Sequence, residues 1–208
     1  MAAPARVLIV FYSRDGSVEA LAKAMAEGAA GTGAEVRIRR ARELVSAETM
    51  ALAPGWAASA ERMNAEYPAP SAEDVLWAEA ICFGSPTRFG GAASELRAWL
   101  ETLGALWYGK KLLNKVGTVF ASVSSLHGGL ETTILGLYPV LAHLDMIMVP
   151  QGYGHPAAMT AGSPYGVGSI SAGAERRPPT DDDRDLARYQ GARVAQCAQA
   201  TRPLRSDA

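Results

Sequence analysis

The 208 residues are 49% hydrophobic and carry 20 basic against 21 acidic side chains, with two cysteines. A chain of this length buries about 70% of its unfolded surface, so neither disulfides nor a structural metal is needed for a core. Near-zero net charge excludes the basic field of a nonspecific nucleic-acid binder and the acidic field of many electron carriers. Cys82 and Cys197 are too few and too far apart for a zinc or CxxC redox motif. No apolar run approaches the ~20 residues of a membrane span, and the apolar run at 7–12 lacks the flanks and cleavage pattern of a secretory signal. The expectation is a reduced, cytoplasmic protein without nucleic-acid partners or membrane insertion.

Short apolar runs alternate with helical stretches, which predicts an α/β domain with a mainly parallel sheet. Residues 6–12 read as a central strand buried on both faces. A helix over 18–30 follows, with Leu21 and Met25 at helical spacing, and then a half-exposed second strand over 35–40. Residues 42–70 break the alternation and read as an insertion with helical turns. Ser71 and Asp74 form a capping-box pattern that opens a helix through Trp77. The third strand is expected at 80–83, an amphipathic helix at 92–103, and the fourth strand at 115–122. A helix over 131–144, kinked at Pro139, precedes a fifth strand at 146–149. Residues 153–179, rich in Gly, Ser and Pro, read as a functional loop. Thr180 and Asp183 cap a final helix reaching about Ala200. One domain spanning 1–208, with insertions at about 42–70 and 153–179, accounts for all of this.

In an open α/β sheet, ligands bind beyond the carboxyl ends of the strands. The loops there are small, polar or glycine-rich. In the first, Ser13, Arg14, Asp15, Gly16, Ser17 and Val18 place two hydroxyls around a glycine where a helix begins. Main-chain N–H groups and the helix dipole at such a place favour a phosphate; a turn in which the hydroxyls only cap the helix is the other reading. There is neither GxGxxG nor GxxxxGK[ST], which disfavours a dinucleotide pyrophosphate site and a nucleoside triphosphatase. The second loop, Pro86, Thr87, Arg88, Phe89 and Gly90, combines rigid backbone, accessible amides, an aromatic ring and a cation. Such a segment suits the edge of a flat aromatic ligand such as a flavin. His127, His143 and His155 lack metal-ligand spacing, so no metal site is expected. There is no GxSxG elbow, and the acidic residues of a receiver domain are missing at both strand ends.

Segments 7–17, 83–90, 127–133, 163–166 and 187–191 together resemble the WrbA family of flavodoxin-like NAD(P)H:quinone oxidoreductases, in order and over about residues 7–200. The resemblance implies a flavodoxin-like, five-stranded parallel sheet of order 2-1-3-4-5 with helices on both faces. It also implies bound FMN, NADH or NADPH as reductant, a quinone substrate reduced by two electrons in a ping-pong cycle, and a homo-oligomer (dimer or tetramer) with active sites near subunit contacts. Carried over, the phosphate loop falls on Ser13 to Val18 and the flavin-edge segment on Thr87, Arg88 and Phe89. The fourth-strand loop falls on Ser122, Val123, Ser124, Ser125, Leu126, His127 and Gly128, and a flavin-contacting histidine on His143. Trp107 matches the substrate-side tryptophan; without the resemblance it reads equally as a core or interface anchor.

The chain departs from the family at Asp15, where an aromatic residue on the nicotinamide side is usual, and at Asp145, which replaces a glycine. A carboxylate at 15 cannot stack on a nicotinamide and repels dinucleotide phosphates within about 8 Å. Two alternatives to the quinone reductase therefore stay open: a flavodoxin-like electron carrier, and a non-catalytic FMN-binding interaction module.

Overall fold

In the computed structural model, which describes residues 3–205, strand β1 (Arg6–Phe11) lies in the middle of a parallel sheet. It pairs with β2 (Glu35–Arg40) on one side and β3 (Ala80–Arg88) on the other, with Val7 opposite Val36 and Ala80. Its side chains are divided by the pleat. Val7, Ile9 and Phe11 enter one core with α1 (Ser17–Ala30) and the C-terminal helix. Leu8 and Val10 enter the other, beneath the helices of the second face. A strand covered on both faces has no polar side to show, which is why its sequence reads as one apolar run.

Between β2 and β3 lie α2 (Ala47–Ala51), α3 (Trp56–Glu66) and α4 (Ala72–Trp77), the last opened by the expected capping box of Ser71 and Asp74. The inserted α3 is tied to the core by Met63 and by Tyr67, whose ring meets Phe11 edge-on at 5.2 Å. Strand β3 runs five residues beyond the expected end at Phe83, then turns back through β4 (Gly91–Ala92). The helix expected at 92–103 is α5 (Ser94–Glu101), and a further short helix, α6 (Gly104–Tyr108), begins at the glycine expected to end it. Strand β5 (Val116–Val123) pairs with β3, and α7 (Leu130–His143) returns across the sheet as one helix containing Pro139.

The expected fifth strand is split. Strand β6 (Ile147–Met148) pairs with the start of β5, and β7 (Gly168–Ile170) with its end, giving the path β2-β1-β3-β5-β6 with β7 alongside β5. The expected order 2-1-3-4-5 holds, with two segments sharing the fifth place. Gln190, fully buried in α8 (Asp181–Ala200), closes the gap: its Oε1 accepts from the Val167 N–H at 2.7 Å, and its Nε2 donates to Val119 O at 3.1 Å. Thr118 Oγ1 donates to Val149 O at 2.6 Å. Main-chain groups that an unbroken strand would pair are thus met by side chains, as burial demands.

Helix α8 crosses α1 at main-chain contact. A Cβ on Gly191 would lie 2.1 Å from Met25 O, and one on Gly28 1.9 Å from Arg188 O. Only glycine permits this approach, which holds the second half of α1 against α8.

Candidate functional site

The first loop leaves β1 at Tyr12 and Ser13, both buried. Ser13 Oγ accepts from the Gly16 N–H at 3.0 Å, which shapes the turn. Gly16 stands at φ 95°, and no side chain caps α1. The Ser13 hydroxyl therefore folds the turn without capping the helix, whose end stays open to an anion. Under the loop lies Arg40, wholly inaccessible to solvent. Its Nη2 donates to Ser13 O at 2.9 Å, its guanidinium bonds Glu43 and Asn64, and it stands 5.4 Å from the Tyr12 ring centroid. Burial alone would push Glu43 up, but the hydrogen bonds and charge of Arg40 hold it below its ordinary range. The sequence reading passed over Arg40. The available signal was a cation at the end of β2 with a glutamate three residues on.

The second loop is held from inside. Ser85 Oγ accepts from the Ala93 N–H at 2.8 Å, and Thr133 Oγ1 donates to Thr87 Oγ1 at 3.0 Å. Arg88 pairs with Gly91 across a two-residue turn in which Phe89 (φ 50°) and Gly90 (φ 78°) are both left-handed. Such a turn fits the twist of a hairpin, and here it turns the Phe89 ring fully out to solvent. Arg88 makes a hydrogen bond to Thr87 O at 3.0 Å and, among the described residues, no ion pair. Burial and the charge of Arg14 hold its guanidinium below the usual value.

These loops meet in one cleft. It is lined by Ser13, Arg14, Asp15 and Ser17 from the first loop, Pro86, Thr87 and Arg88 from the second, and Ser122, Val123 and Ser124 from the third. Ser171 joins them, delivered by the second half of the split strand, with its N–H on Val123 O at 2.8 Å. It lies in the Gly- and Ser-rich stretch whose function was expected, but no motif marked it. Asp15 is not a lone charge: its carboxylate is 3.3 Å from Arg14, whose guanidinium sits 5.3 Å from the Trp56 ring. Val18 is buried behind the loop. Ser125 and Leu126 face a neighbouring cavity with Ile170 and Arg177. His127 is exposed and Gly128 partly so, at the tip of the third loop. Asp145 stands at φ 57°, so the conformation that favours glycine is kept without one.

Trp107 and His143 come together, but elsewhere. With Leu100, Glu101, Gly104, Val140 and Leu144 they line a mainly apolar hollow of about 250 Å³ that shares no residue with the cleft. Among the described residues no group of three or more His, Cys, Asp or Glu comes together as a metal site.

The lining of the cleft has the chemistry to receive the phosphate of a flavin mononucleotide. Five serines and an open helix end offer donors to a phosphate, and two neighbouring cations have only one carboxylate between them. Known proteins agree with that chemistry. The NADPH-dependent FMN reductase family matches residues 6–158. A protein of Sinorhizobium fredii called NAD(P)H dehydrogenase (quinone) is 42% identical over 201 residues, covering 93% of this chain and 97% of its own. A Deinococcus radiodurans protein of the same name is 39% identical over 191 residues, covering 91% and 94%. In fold, a WrbA-like flavodoxin structure from Agrobacterium tumefaciens superposes with a TM-score of 0.65 at 23% identity, over 94% of this chain and 98% of that one. An archaeal flavodoxin does so at 0.60 and 16%, over 93% and 99%. The chain belongs to the NADPH-dependent FMN reductase family.

Proposed function

We infer that the chain is an FMN-dependent oxidoreductase that reduces quinones with NADH or NADPH. The family and the names of the relatives support the activity class. The observation that carries the site is Arg88, a partly buried guanidinium in the cleft with Arg14 that, among the described residues, has no carboxylate partner. A cation so placed favours an anionic or electron-rich partner from outside the chain.

FMN, when bound, supplies two-electron hydride transfer between a nicotinamide and a quinone. The chain's residues hold and orient it. Ser17, the amides of Ser17 and Val18, and the Ser13 hydroxyl, which accepts from the Gly16 N–H and keeps its own proton to donate, hold the phosphate, with Arg14 in the same cleft. Pro86, Thr87, Arg88, Phe89 and Gly90 border the ring edge, where Arg88 favours negative charge. Ser122, Val123 and Ser124 close the third side, continued by Ser125, Leu126, His127 and Gly128, and Ser171 adds a donor the motifs did not reveal. Trp107 and His143 do not reach the cleft in one chain. We assign them to the substrate side of a homo-oligomer, contributed by a second copy. No helix among the described residues is long and apolar enough to cross a membrane. Two free cysteines, with the Cys82 thiol pushed up to about 12 by burial, support a reducing, cytoplasmic setting.

The test is an absorbance spectrum of the purified protein before and after adding FMN, followed by NADH or NADPH oxidation with benzoquinone and no partner protein. Bound flavin and steady turnover are expected. Protein that takes up no FMN would overturn the reading, and FMN uptake without turnover would favour the binding module.

A further inference from the structure

The opposite edge of the sheet carries a second cavity of about 590 Å³. The cleft lies at the carboxyl ends of the strands. This cavity lies at their amino ends, bounded by Arg6 and Glu35, the first residues of β1 and β2, and by Glu79 and Lys115, which immediately precede β3 and β5. Six cationic side chains border it against two carboxylates, in a chain whose formal charge is −1. The excess is local and does not reflect a basic protein.

The cations fall into two sets. Arg202, Arg205, Lys115 and Arg6 are committed to the fold. Arg202 donates to Glu79 at 2.7 and 2.8 Å and to the carbonyls of Ala3 and Pro4. Arg205 bonds Asn114 O, Ala198 O and Glu79. The Lys115 ammonium donates to three carbonyls, those of Val75, Leu76 and Ala78. Glu79 is thereby shared among three arginines, since Arg6 also lies 3.8 Å away. Lys110 and Lys111 are the uncommitted set: both are exposed on the rim, and among the described residues neither has a carboxylate partner. Leu76, Leu113 and Pro4 add apolar wall.

A charge-rich cavity of this size, with an apolar side and, among the described residues, two ammonium groups without a carboxylate partner at its mouth, has the character of a ligand site. We propose that it binds a small organic anion carrying two or more negative charges, phosphorylated or polycarboxylic. The committed cations form a positive wall, and Lys110 and Lys111 make the direct contacts. The site is separate from the FMN cleft, with which it shares no residue.

The experiment is calorimetric titration of the FMN-loaded protein with inorganic pyrophosphate and, separately, with citrate, at low ionic strength and again in 0.5 M sodium chloride. One saturable site is expected for at least one of the two. Its affinity should drop about tenfold or more in the Lys110→Gln/Lys111→Gln double variant and weaken with salt, as a site built on exposed ammonium groups must. The flavin spectrum and quinone turnover of the variant should match those of the parent, which shows that the fold is intact. The better ligand identifies the class, phosphate or carboxylate. Absence of saturable binding by both anions, affinity unchanged in the double variant, or release of FMN by the anion would each overturn the proposal. The binding results do not depend on whether quinones are the substrate, and where the parent shows no quinone turnover the flavin spectrum alone reports the fold.

Discussion

The polar cleft and the hollow under Trp107 were expected to form one site, and they are built in opposite ways. The cleft draws on four segments of one chain, each fixed by contacts that a ligand need not supply: Ser13 by Arg40, Thr87 by Thr133, Ser122 by strand pairing with Pro86 and Ser169, and Ser171 by Val123. The hollow is a shallow meeting of α5, α6 and α7, with Trp107 half exposed and His143 in the last turn of a helix. A site for a fixed anionic end has to be preorganised within the chain, because loosening it costs affinity directly. An apolar wall can be left open when another surface completes it. In the proposed reading, the phosphate end of the ligand is specified by the monomer, while the substrate end is specified by assembly.

The largest expected effect tests the preorganised side. Arg40→Met leaves the Glu43 carboxylate, 7% exposed in its side chain, without its partner. Breaking one side of a buried pair costs about 3–5 kcal/mol, and urea denaturation of the apoprotein should show a loss of that size. The pH dependence has a definite sign. The folded-state pKa of Glu43 lies below its ordinary value of 4.5. Its contribution is therefore fully present above that value and is lost as the pH falls through the folded pKa. The stability gap between parent and variant should be widest at neutral pH and should narrow in acid. A constant gap would show that the pair does not titrate with folding.

Next comes the phosphate contact itself. A hydrogen bond to a charged group contributes about 1.5–3 kcal/mol, so Ser17→Ala should weaken FMN binding by about ten- to a hundredfold, read by quenching of flavin fluorescence. Trp107→Ala should leave that affinity unchanged. Loss of an aromatic contact, about 0.5–1.5 kcal/mol beyond area, should lower kcat/KM for the quinone by about three- to tenfold. It should also make the activity per chain depend more steeply on protein concentration. If Trp107→Ala released FMN, the two regions would be one site and the contrast would fail.

How much of this was legible depends on how far the cause lies along the chain. Strand β2 and the capping boxes at Ser71 and Thr180 read correctly because each is a local pattern. The place of the first loop, between β1 and α1, read correctly too, because a strand, a glycine and a helix follow one another directly. The length of β3 was hidden: Gly84, Ser85 and Pro86 have the composition of a turn, yet they stay in the sheet beside β5, and Gly84 is required there because a Cβ would strike the Phe120 ring at 2.2 Å. The split of the fifth strand depends on Gln190, far along the chain, and no local pattern announces it. Arg40 was hidden for the same reason, since the groups that make it tolerable inside come from the loop, the insertion and a neighbouring glutamate. The separation of Trp107 and His143 from the cleft is tertiary throughout.

The smallest effect concerns Asp15, where the sequence alone pointed to a large one. An isolated carboxylate at the nicotinamide side would repel the dinucleotide, and its removal would be expected to change KM strongly. The structure sets Arg14 at 3.3 Å from it, so at distances of a Debye length the two charges nearly cancel. What remains is a partly exposed pair, and such pairs contribute about 0–1 kcal/mol. Asp15→Asn should therefore lower KM for NADH or NADPH by no more than about fivefold, since it frees the Arg14 charge for the dinucleotide phosphates, with kcat little changed. The gain should shrink in 0.5 M salt, where the freed charge is screened. A much larger gain that persists in salt would mean that Asp15 acts by occupying space over the ring, a steric role that the Arg14 pair does not relieve.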